Sequence, residues 1–180
     1  MKINKTFIED LLIIEPVLSK DERGFFYESY NKNNLDKIIN IAFVQDNESK
    51  SNKGVIRGLH FQKPPFEQTK LVRCITGNIL DVAVDLRTSS KTYGKFFSIE
   101  LSSENNKQLF VPKGFAHGFQ VLSETAIVNY KVDGFYNPDS DSGLIWNDKD
   151  LSINWSIDVK PILSVKDLKL MSFRELKSPF

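Results

Sequence analysis

The chain has 180 residues, of which 41% are hydrophobic and 26% are charged, and its formal net charge is +1. That length suits one well-buried core, so we expect a single domain spanning residues 1–180. Lys and Arg are spread along the chain, which excludes the concentrated positive charge that binding to DNA or RNA requires.

The first forty residues predict two short β-prone runs, at residues 11–17 and 24–30, separated by a polar turn. A short peripheral helix is expected from Asn31 to Ile39, with Asn33 as its N-terminal cap. Its apolar face would consist of Leu35, Ile38 and Ile39.

From Phe43 onward, turn signals recur at intervals of about 8 to 12 residues, which is typical of a β-sandwich or barrel. One segment alternates strictly between two sets of residues: Leu80, Val82, Val84 and Leu86 against Asp81, Ala83, Asp85 and Arg87. This pattern predicts a strand with one apolar face. We therefore expect an all-β fold.

Cysteine content and hydropathy bear on the cellular location. Cys74 is the single cysteine, so no intrachain disulfide forms. Lys2, Lys5, Glu9 and Asp10 interrupt the N-terminus before an apolar stretch of signal-peptide length accumulates, and no run approaches the length of a membrane span. We expect a cytoplasmic protein with no membrane partner.

Residues 54–62, followed by Lys70, contain His60, one of only two histidines in the chain. A histidine near an arginine in a β-rich run is a candidate for proton chemistry, and the alternative is a structural histidine satisfied within its strand. Strict alternation places Arg57 and His60 on opposite faces. Both reach one cavity only if Gly58 marks a bulge or a sharp twist.

The second histidine, His117, follows Pro112 and Gly114 with the spacing of the second cupin motif. Cupins are jelly rolls, and many hold a metal with three histidines and a glutamate. Here the first motif has His60 and Gln62 where such a site needs two histidines. Two histidines are too few to supply the nitrogen ligands of such a site, so we expect no metal.

Other side chains suggest the class of ligand. Alternation along residues 126–132 turns Tyr130 inward, either as a core tyrosine or with its hydroxyl lining a cavity. Arginine forks suit diphosphates and an aromatic face suits a nucleobase. Cationic and aromatic side chains accumulate around these stretches, namely Arg23, Phe26, Arg57, Lys70 and Tyr136. Together they favour an anionic ligand that contains a nucleobase.

These motifs together resemble the cupin-fold dTDP-4-dehydrorhamnose 3,5-epimerase family. The resemblance covers nearly the whole chain, at residues 21–28, 45–51, 54–62, 68–72, 81–87, 112–119, 130–131, 136–138, 146–148 and 163–167. It implies a cupin-type jelly-roll barrel with a few short peripheral helices. It also implies an isomerase that inverts C3 and C5 of a nucleotide-linked 4-keto-6-deoxy sugar through an enolate.

The resemblance assigns roles to individual residues. His60 matches the general base, Asp167 the carboxylate that orients it, Tyr130 the acid on the opposite face and Lys70 the cation beside the enolate. Tyr136 matches the aromatic residue near the base. Ligand-binding positions are matched by Arg23, Glu28, Gln45, Asn47, Arg57, His117 and Lys166. Asp141 stands where the family usually has glutamate, and the shorter carboxylate shifts that contact.

The family also implies a homodimer with exchanged N-terminal strands, which would carry residues 23–28 toward the partner's site. No cofactor is required for this chemistry. Close alternatives are an epimerase of a GDP-linked 4-keto-6-deoxy sugar or heptose, or one that inverts C3 only. A non-catalytic cupin that binds sugar nucleotides and a metal-dependent cupin oxygenase are alternatives from other classes.

Overall fold

A computed structural model of the chain describes residues 1–35, 39–156 and 158–180. Its regular structure is almost entirely β. The strands are β1 (Lys2–Lys5), β2 (Leu12–Glu15), β3 (Ser19–Asp21), β4 (Gly24–Phe26), β5 (Gln45–Asn52), β6 (Ile56–Gln62), β7 (Lys70–Thr76), β8 (Asn78–Asp85), β9 (Phe96–Ser102), β10 (Gln108–Val111), β11 (Phe115–Val121), β12 (Thr125–Val132) and β13 (Asp141–Gly143).

Helical structure among the described residues is limited to short pieces. They are α1 (Lys32–Leu35) and 3-10 turns at Pro138–Ser140, Asp167–Lys169 and Phe173–Glu175. The expected cap at Asn33 is wrong, because Asn33 lies within α1 and the side chain of Asn31 accepts the hydrogen bond from the Asn34 amide. The predicted continuation of this helix through residues 36–38 lies outside the described residues.

Two antiparallel sheets stack face to face. One has the strand order β1-β2-β10-β7-β12-β5 and the other has the order β13-β6-β11-β8-β9. Strands that are distant in sequence are neighbours in both sheets, as in a jelly roll, and β3 and β4 form a separate hairpin. The all-β, cupin-type jelly-roll prediction is confirmed.

Apolar side chains from the two sheets interdigitate at the centre of the sandwich. Val72 and Val128 of one sheet and Ile79, Phe115 and Phe119 of the other belong to one buried cluster. A second cluster covers the outer face of the five-stranded sheet, where Leu151 and Trp155 pack together with side chains of residues 163–180, the C-terminal segment. The chain's C-terminal part is thereby held over β6 and β8.

Strand β8 has the predicted alternation, but its apolar face is directed away from the space between the sheets. Val82 and Val84 pack in the outer cluster. The alternate residues Asp81, Ala83 and Asp85 are fully buried, and Ala83 belongs to the central cluster. Two carboxylates are therefore buried on the inner side of the sheet, where each must find partners.

Membrane-spanning potential can be stated for the described ranges. Within residues 1–35, 39–156 and 158–180, no helix is long and apolar enough to cross a membrane.

Candidate active site

A cavity of about 450 Å³ opens between the two sheets. His60 on β6, Lys70 on β7, His117 on β11 and Tyr130 on β12 line it. A smaller cavity of about 150 Å³ shares His60, Lys70 and Tyr130 with the first. The two cavities are thus parts of one cleft, whose further lining includes Gln45, Asn47, Arg57, Tyr136, Asp141, Lys166 and Asp167.

Gly58 brings Arg57 and His60 to the same cavity. Its φ is +116°, the peptide bond to Leu59 is cis, and the pairing of β6 with β11 shifts register at this point. A Cβ atom on Gly58 would lie 2.6 Å from the Cα of Gly118, so the two strands approach too closely for any side chain there. The irregularity that sequence alternation required at Gly58 is present.

His60 is paired with a buried carboxylate. Its Nε2 lies 2.8 Å from Oδ1 of Asp167, and the other oxygen of Asp167 accepts a hydrogen bond from the Gly58 amide at 3.4 Å. Burial by itself raises the pKa of Asp167, but hydrogen bonds with His60, Gly58 and Ser164 outweigh it, so the pKa lies below its usual value. Asp167 is therefore ionised at neutral pH and holds the His60 ring in one orientation.

Lys70 places an ammonium in the wall of the cleft. Its Nζ donates to the carbonyl oxygen of His60 at 3.4 Å. Burial lowers the pKa of Lys70 to about 8, while the negative charges of Asp81 and Asp141 oppose this shift. At neutral pH the side chain is a poorly solvated cation, which is the group best suited to stabilise a developing oxyanion.

We expect Lys70 to make the free energy of unfolding depend on pH. The folded pKa of about 8 lies below the ordinary value of 10.5, so between these pH values the unfolded chain binds more protons and stability rises with pH. Over this whole pH range the free energy of unfolding should rise by about 3 kcal/mol. Urea unfolding of wild type and Lys70→Met, compared from pH 7 to pH 10.5, measures it. A pH-independent difference between the two proteins would contradict the assignment.

Tyr130 contacts both the core and the cleft. It packs against the central cluster and also lines both cavities of the cleft. Burial raises the pKa of Tyr130 above its usual value, and the charge of Arg57 offsets this only in part. The hydroxyl therefore carries its proton at neutral pH, and the inward orientation predicted from alternation is confirmed.

His117 is held by a second histidine–carboxylate pair. Its Nε2 lies 2.9 Å from Oδ1 of Asp81, and both side chains are buried. His117 is the registered partner of His60 across the β6–β11 pair. The cleft thus contains two histidines side by side, each bonded to its own carboxylate.

The carboxylate of Asp141, at the rim of the cleft, interacts with two donor side chains. Oδ2 of Asp141 accepts a hydrogen bond from the Tyr136 hydroxyl at 2.8 Å and forms an ion pair with Lys166. The hydrogen bond to Asp141 raises the pKa of Tyr136. Burial alone lowers the pKa of Lys166, but the contact with Asp141 outweighs it and the pKa is raised. Asp141 therefore ties the C-terminal segment to the loop after β12.

The inward face of β5 is polar. The Gln45 side chain donates to Asn47 at 2.8 Å, and Ser51 accepts from Nε of Arg57 at 3.0 Å. Ser49 lies between them in the same two-residue alternation and lines the cavity. Sequence reasoning identified Gln45, Asn47 and Arg57 but missed the two serines, although this alternation was a visible signal.

Three predicted ligand-binding residues lie away from this cleft. Arg23 pairs with Asp21 in the exposed β3–β4 hairpin at 2.6 Å, and Phe26 is 73% exposed. Glu28 accepts hydrogen bonds from Asn31 and Asn34. Phe26 and Glu28 instead border a separate cavity of about 520 Å³. A single chain does not bring these residues to His60.

Metal ligation can be judged for the described residues. In the part of the chain that the structure describes, no group of three or more His, Cys, Asp or Glu side chains is arranged to hold a metal ion.

The fold and cleft together define a class of protein. A cupin-type jelly roll whose cleft combines a histidine–carboxylate pair, an ammonium with a lowered pKa and a protonated phenol has the groups of an enzyme that moves protons by acid–base catalysis.

Comparison with known proteins identifies the family. The family model of dTDP-4-dehydrorhamnose 3,5-epimerase matches residues 5–175. The enzyme of that name from Escherichia coli K12 is 49% identical over 178 residues, covering 98% of this chain and 96% of the relative. The chain belongs to the dTDP-4-dehydrorhamnose 3,5-epimerase family, and it is an isomerase of the epimerase class.

Solved structures agree closely with this fold. The crystal structure of dTDP-4-dehydrorhamnose 3,5-epimerase from Elizabethkingia anophelis is 51% identical, with a TM-score of 0.93 and coverage of 99% and 98% of the two chains. That of dTDP-6-deoxy-D-glucose-3,5-epimerase from Legionella pneumophila, in complex with dTDP-4-keto-L-rhamnose, is 44% identical, with a TM-score of 0.94 and coverage of 97% and 94%.

Proposed function

We propose that this chain inverts C3 and C5 of dTDP-4-keto-6-deoxyglucose, in the biosynthesis of deoxysugars for surface polysaccharides. The observation that carries the proposal is the convergence of His60, Lys70 and Tyr130 on one cleft, with Asp167 2.8 Å from the His60 ring. Family membership supplies the substrate class.

The C4 ketone acidifies the hydrogens on C3 and C5. His60 takes the proton from one of these carbons, and the electron pair of the C–H bond moves into an enolate whose oxygen carries the negative charge. The Lys70 ammonium stabilises that oxygen. Tyr130 then gives its proton to the same carbon from the opposite face, which restores the ketone with inverted configuration. Before the second carbon reacts, His60 gives up the abstracted proton to solvent and Tyr130 takes one up from solvent.

The remaining polar groups of the cleft suit a sugar nucleotide. Arg57 and His117 provide fixed donors for the diphosphate, and Gln45 and Asn47 provide adaptable amides. Tyr136, Asp141 and Lys166 form the rim on the other side. This chemistry needs only a base, an acid and a positive charge, so activity should survive dialysis against EDTA.

The N-terminal part of the chain is proposed to complete the site of a second protomer. Arg23, Phe26 and Glu28 match ligand-binding positions of the family, yet they lie outside the cleft of their own chain, and Phe26 is 73% exposed. A homodimer with exchanged N-terminal strands, built from one domain per chain, reconciles these facts. Light scattering at micromolar concentration should give the dimer mass, and a monomer would contradict it. The cytoplasmic location stays a prediction.

A nucleotide panel separates dTDP from GDP substrates. We expect dTDP to raise the melting temperature strongly, because a ligand present at a hundredfold excess over its Kd stabilises the folded state by about 2.7 kcal/mol. GDP, UDP and CDP should shift it far less. Arg57→Ala should abolish the dTDP shift, whereas the exposed outward-facing Lys50→Ala should retain it. A larger shift with GDP would favour the GDP-linked alternative.

A further inference from the structure

Asp81 is a buried carboxylate to which the proposed reaction gives no role. It is 0% exposed, on the inner side of β8. One oxygen, Oδ1, is bonded to His117 at 2.9 Å, while Oδ2 is buried and has no hydrogen-bond partner among the described residues. A buried carboxylate oxygen without a hydrogen-bond partner destabilises the folded state, because it has lost its hydration and gained nothing in return. A residue whose only task was to stabilise the fold would not carry this cost.

Asp85, four residues further along the same strand and on the same face, shows what a structural carboxylate looks like here. It is equally buried, but Oδ1 accepts from Arg87, and Oδ2 accepts from Arg87, Ser90 and Thr92 at 2.6–3.0 Å. The two carboxylates share strand, face and burial. They differ in their partners, and Asp81 alone of the two adjoins the cleft residues.

The charge of Asp81 acts on Lys70. The hydrogen bond of the Lys70 ammonium goes to a neutral carbonyl, that of His60, so neighbouring carboxylates must compensate its charge. Of the two that do so, Asp81 has the larger effect and Asp141 the smaller. Asp141 already shares its Oδ2 with Tyr136 and Lys166, whereas Oδ2 of Asp81 is uncommitted.

We propose that Asp81 is a positioning residue of the epimerase site: its Oδ1 fixes the His117 ring, and its unpaired Oδ2 supplies the buried negative charge that compensates the Lys70 ammonium. The proposal rests on the proposed function and deepens it. With Nε2 of His117 held by Asp81, Nδ1 is the ring nitrogen left for an anionic ligand. Asp81 touches no substrate in this account and acts only through these two side chains.

The ionisable groups that share the cleft with Lys70 come from every element packed around it. They are Glu48 on β5, Arg57 and His60 on β6, His117 on β11, Tyr130 on β12, Tyr136 in the loop after β12, Asp141 on β13, and Lys166 and Asp167 of the C-terminal segment. The positive charges of Arg57 and Lys166 oppose a charge on Lys70, while the carboxylates of Glu48, Asp141 and Asp167 favour it. Removing Asp81 therefore shifts this balance toward neutral Lys70.

The test compares Asp81→Asn with Asp85→Asn, a matched change on the same strand. Loss of a neighbouring negative charge lowers the pKa of Lys70, so the alkaline limb of kcat against pH should move down by about one pH unit in Asp81→Asn. Asp85→Asn should lose stability without moving that limb. His117→Asn keeps the Asp81 charge and should raise KM without moving the limb downward. An unshifted limb in Asp81→Asn would overturn the proposal.

A second measurement does not depend on activity, so failure of the proposed function and failure of this inference are distinguishable. The rise in stability that Lys70 causes above about pH 8 should begin at lower pH in Asp81→Asn. In a Lys70→Met background the same substitution should leave the pH dependence unchanged. Asp81→Ser, which is smaller and also uncharged, must give the same shift and replaces the asparagine variant if that protein does not fold. A rise that begins at the wild-type pH would overturn the proposal.

Discussion

We expect His60→Ala to abolish incorporation of solvent deuterium at both C3 and C5 of the substrate. Carbon acids lose protons slowly, and a positioned general base contributes about 10²- to 10⁴-fold. Asp167 orients His60, with 2.8 Å between its Oδ1 and Nε2 of the ring. Loss of His60 therefore removes the base for both centres. Mass spectrometry and proton NMR of the recovered sugar nucleotide in heavy water measure both positions.

Two variants serve as controls for this result. His117→Asn removes the only other histidine of the chain from the same cleft, and we expect a higher KM with exchange retained at saturating substrate. Asp167→Asn should cost less than His60→Ala, because the base remains but is no longer held in place. Near-normal exchange at either carbon in His60→Ala would mean that a second base serves that centre.

Tyr130→Phe should separate the two halves of the reaction. His60 still removes protons, so exchange with heavy water continues, while net inversion collapses because the donor on the opposite face is gone. The phenylalanine ring preserves the packing of Tyr130 against the central cluster, so the fold is retained. Burial raises the pKa of Tyr130, which keeps the proton available for transfer at neutral pH.

The measurement is the ratio of deuterium exchange to inverted product in a single incubation. Tyr93→Phe is the matched control, because Tyr93 packs against Phe173 outside the cleft and should leave both quantities unchanged. Unchanged inversion in Tyr130→Phe would make Tyr130 a packing residue, as the core-tyrosine interpretation held.

Local sequence patterns predicted where the strands lie better than they predicted what packs against each face of a strand. The alternation of residues 80–87 identified β8, but it does not tell which face is directed between the sheets. The C-terminal segment decides this, because it covers Val82 and Val84 and leaves Asp81 on the inner side. Packing by a segment so distant in sequence leaves no periodic signal, so sequence reasoning did not identify Asp81 as a partner of His117.

The candidate site was predictable where one strand carries several of its residues. Residues 54–62 contain Arg57, Gly58 and His60, and alternation alone showed that an irregularity at Gly58 was needed to bring the other two together. Asp167 is 107 residues from His60, and only the family resemblance connected them. The location of residues 23–28 outside the cleft depends on the path of the β3–β4 hairpin, which no local pattern specifies.

The most direct test of the central claim is incubation of the wild-type protein with dTDP-4-keto-6-deoxyglucose in heavy water, followed by NMR of the product. The proposed function predicts deuterium at both C3 and C5, with inverted configuration at each. Deuterium and inversion at C3 alone would identify an enzyme that inverts one centre. No deuterium at either carbon would contradict the claim that the cleft around His60 catalyses proton transfer on this substrate.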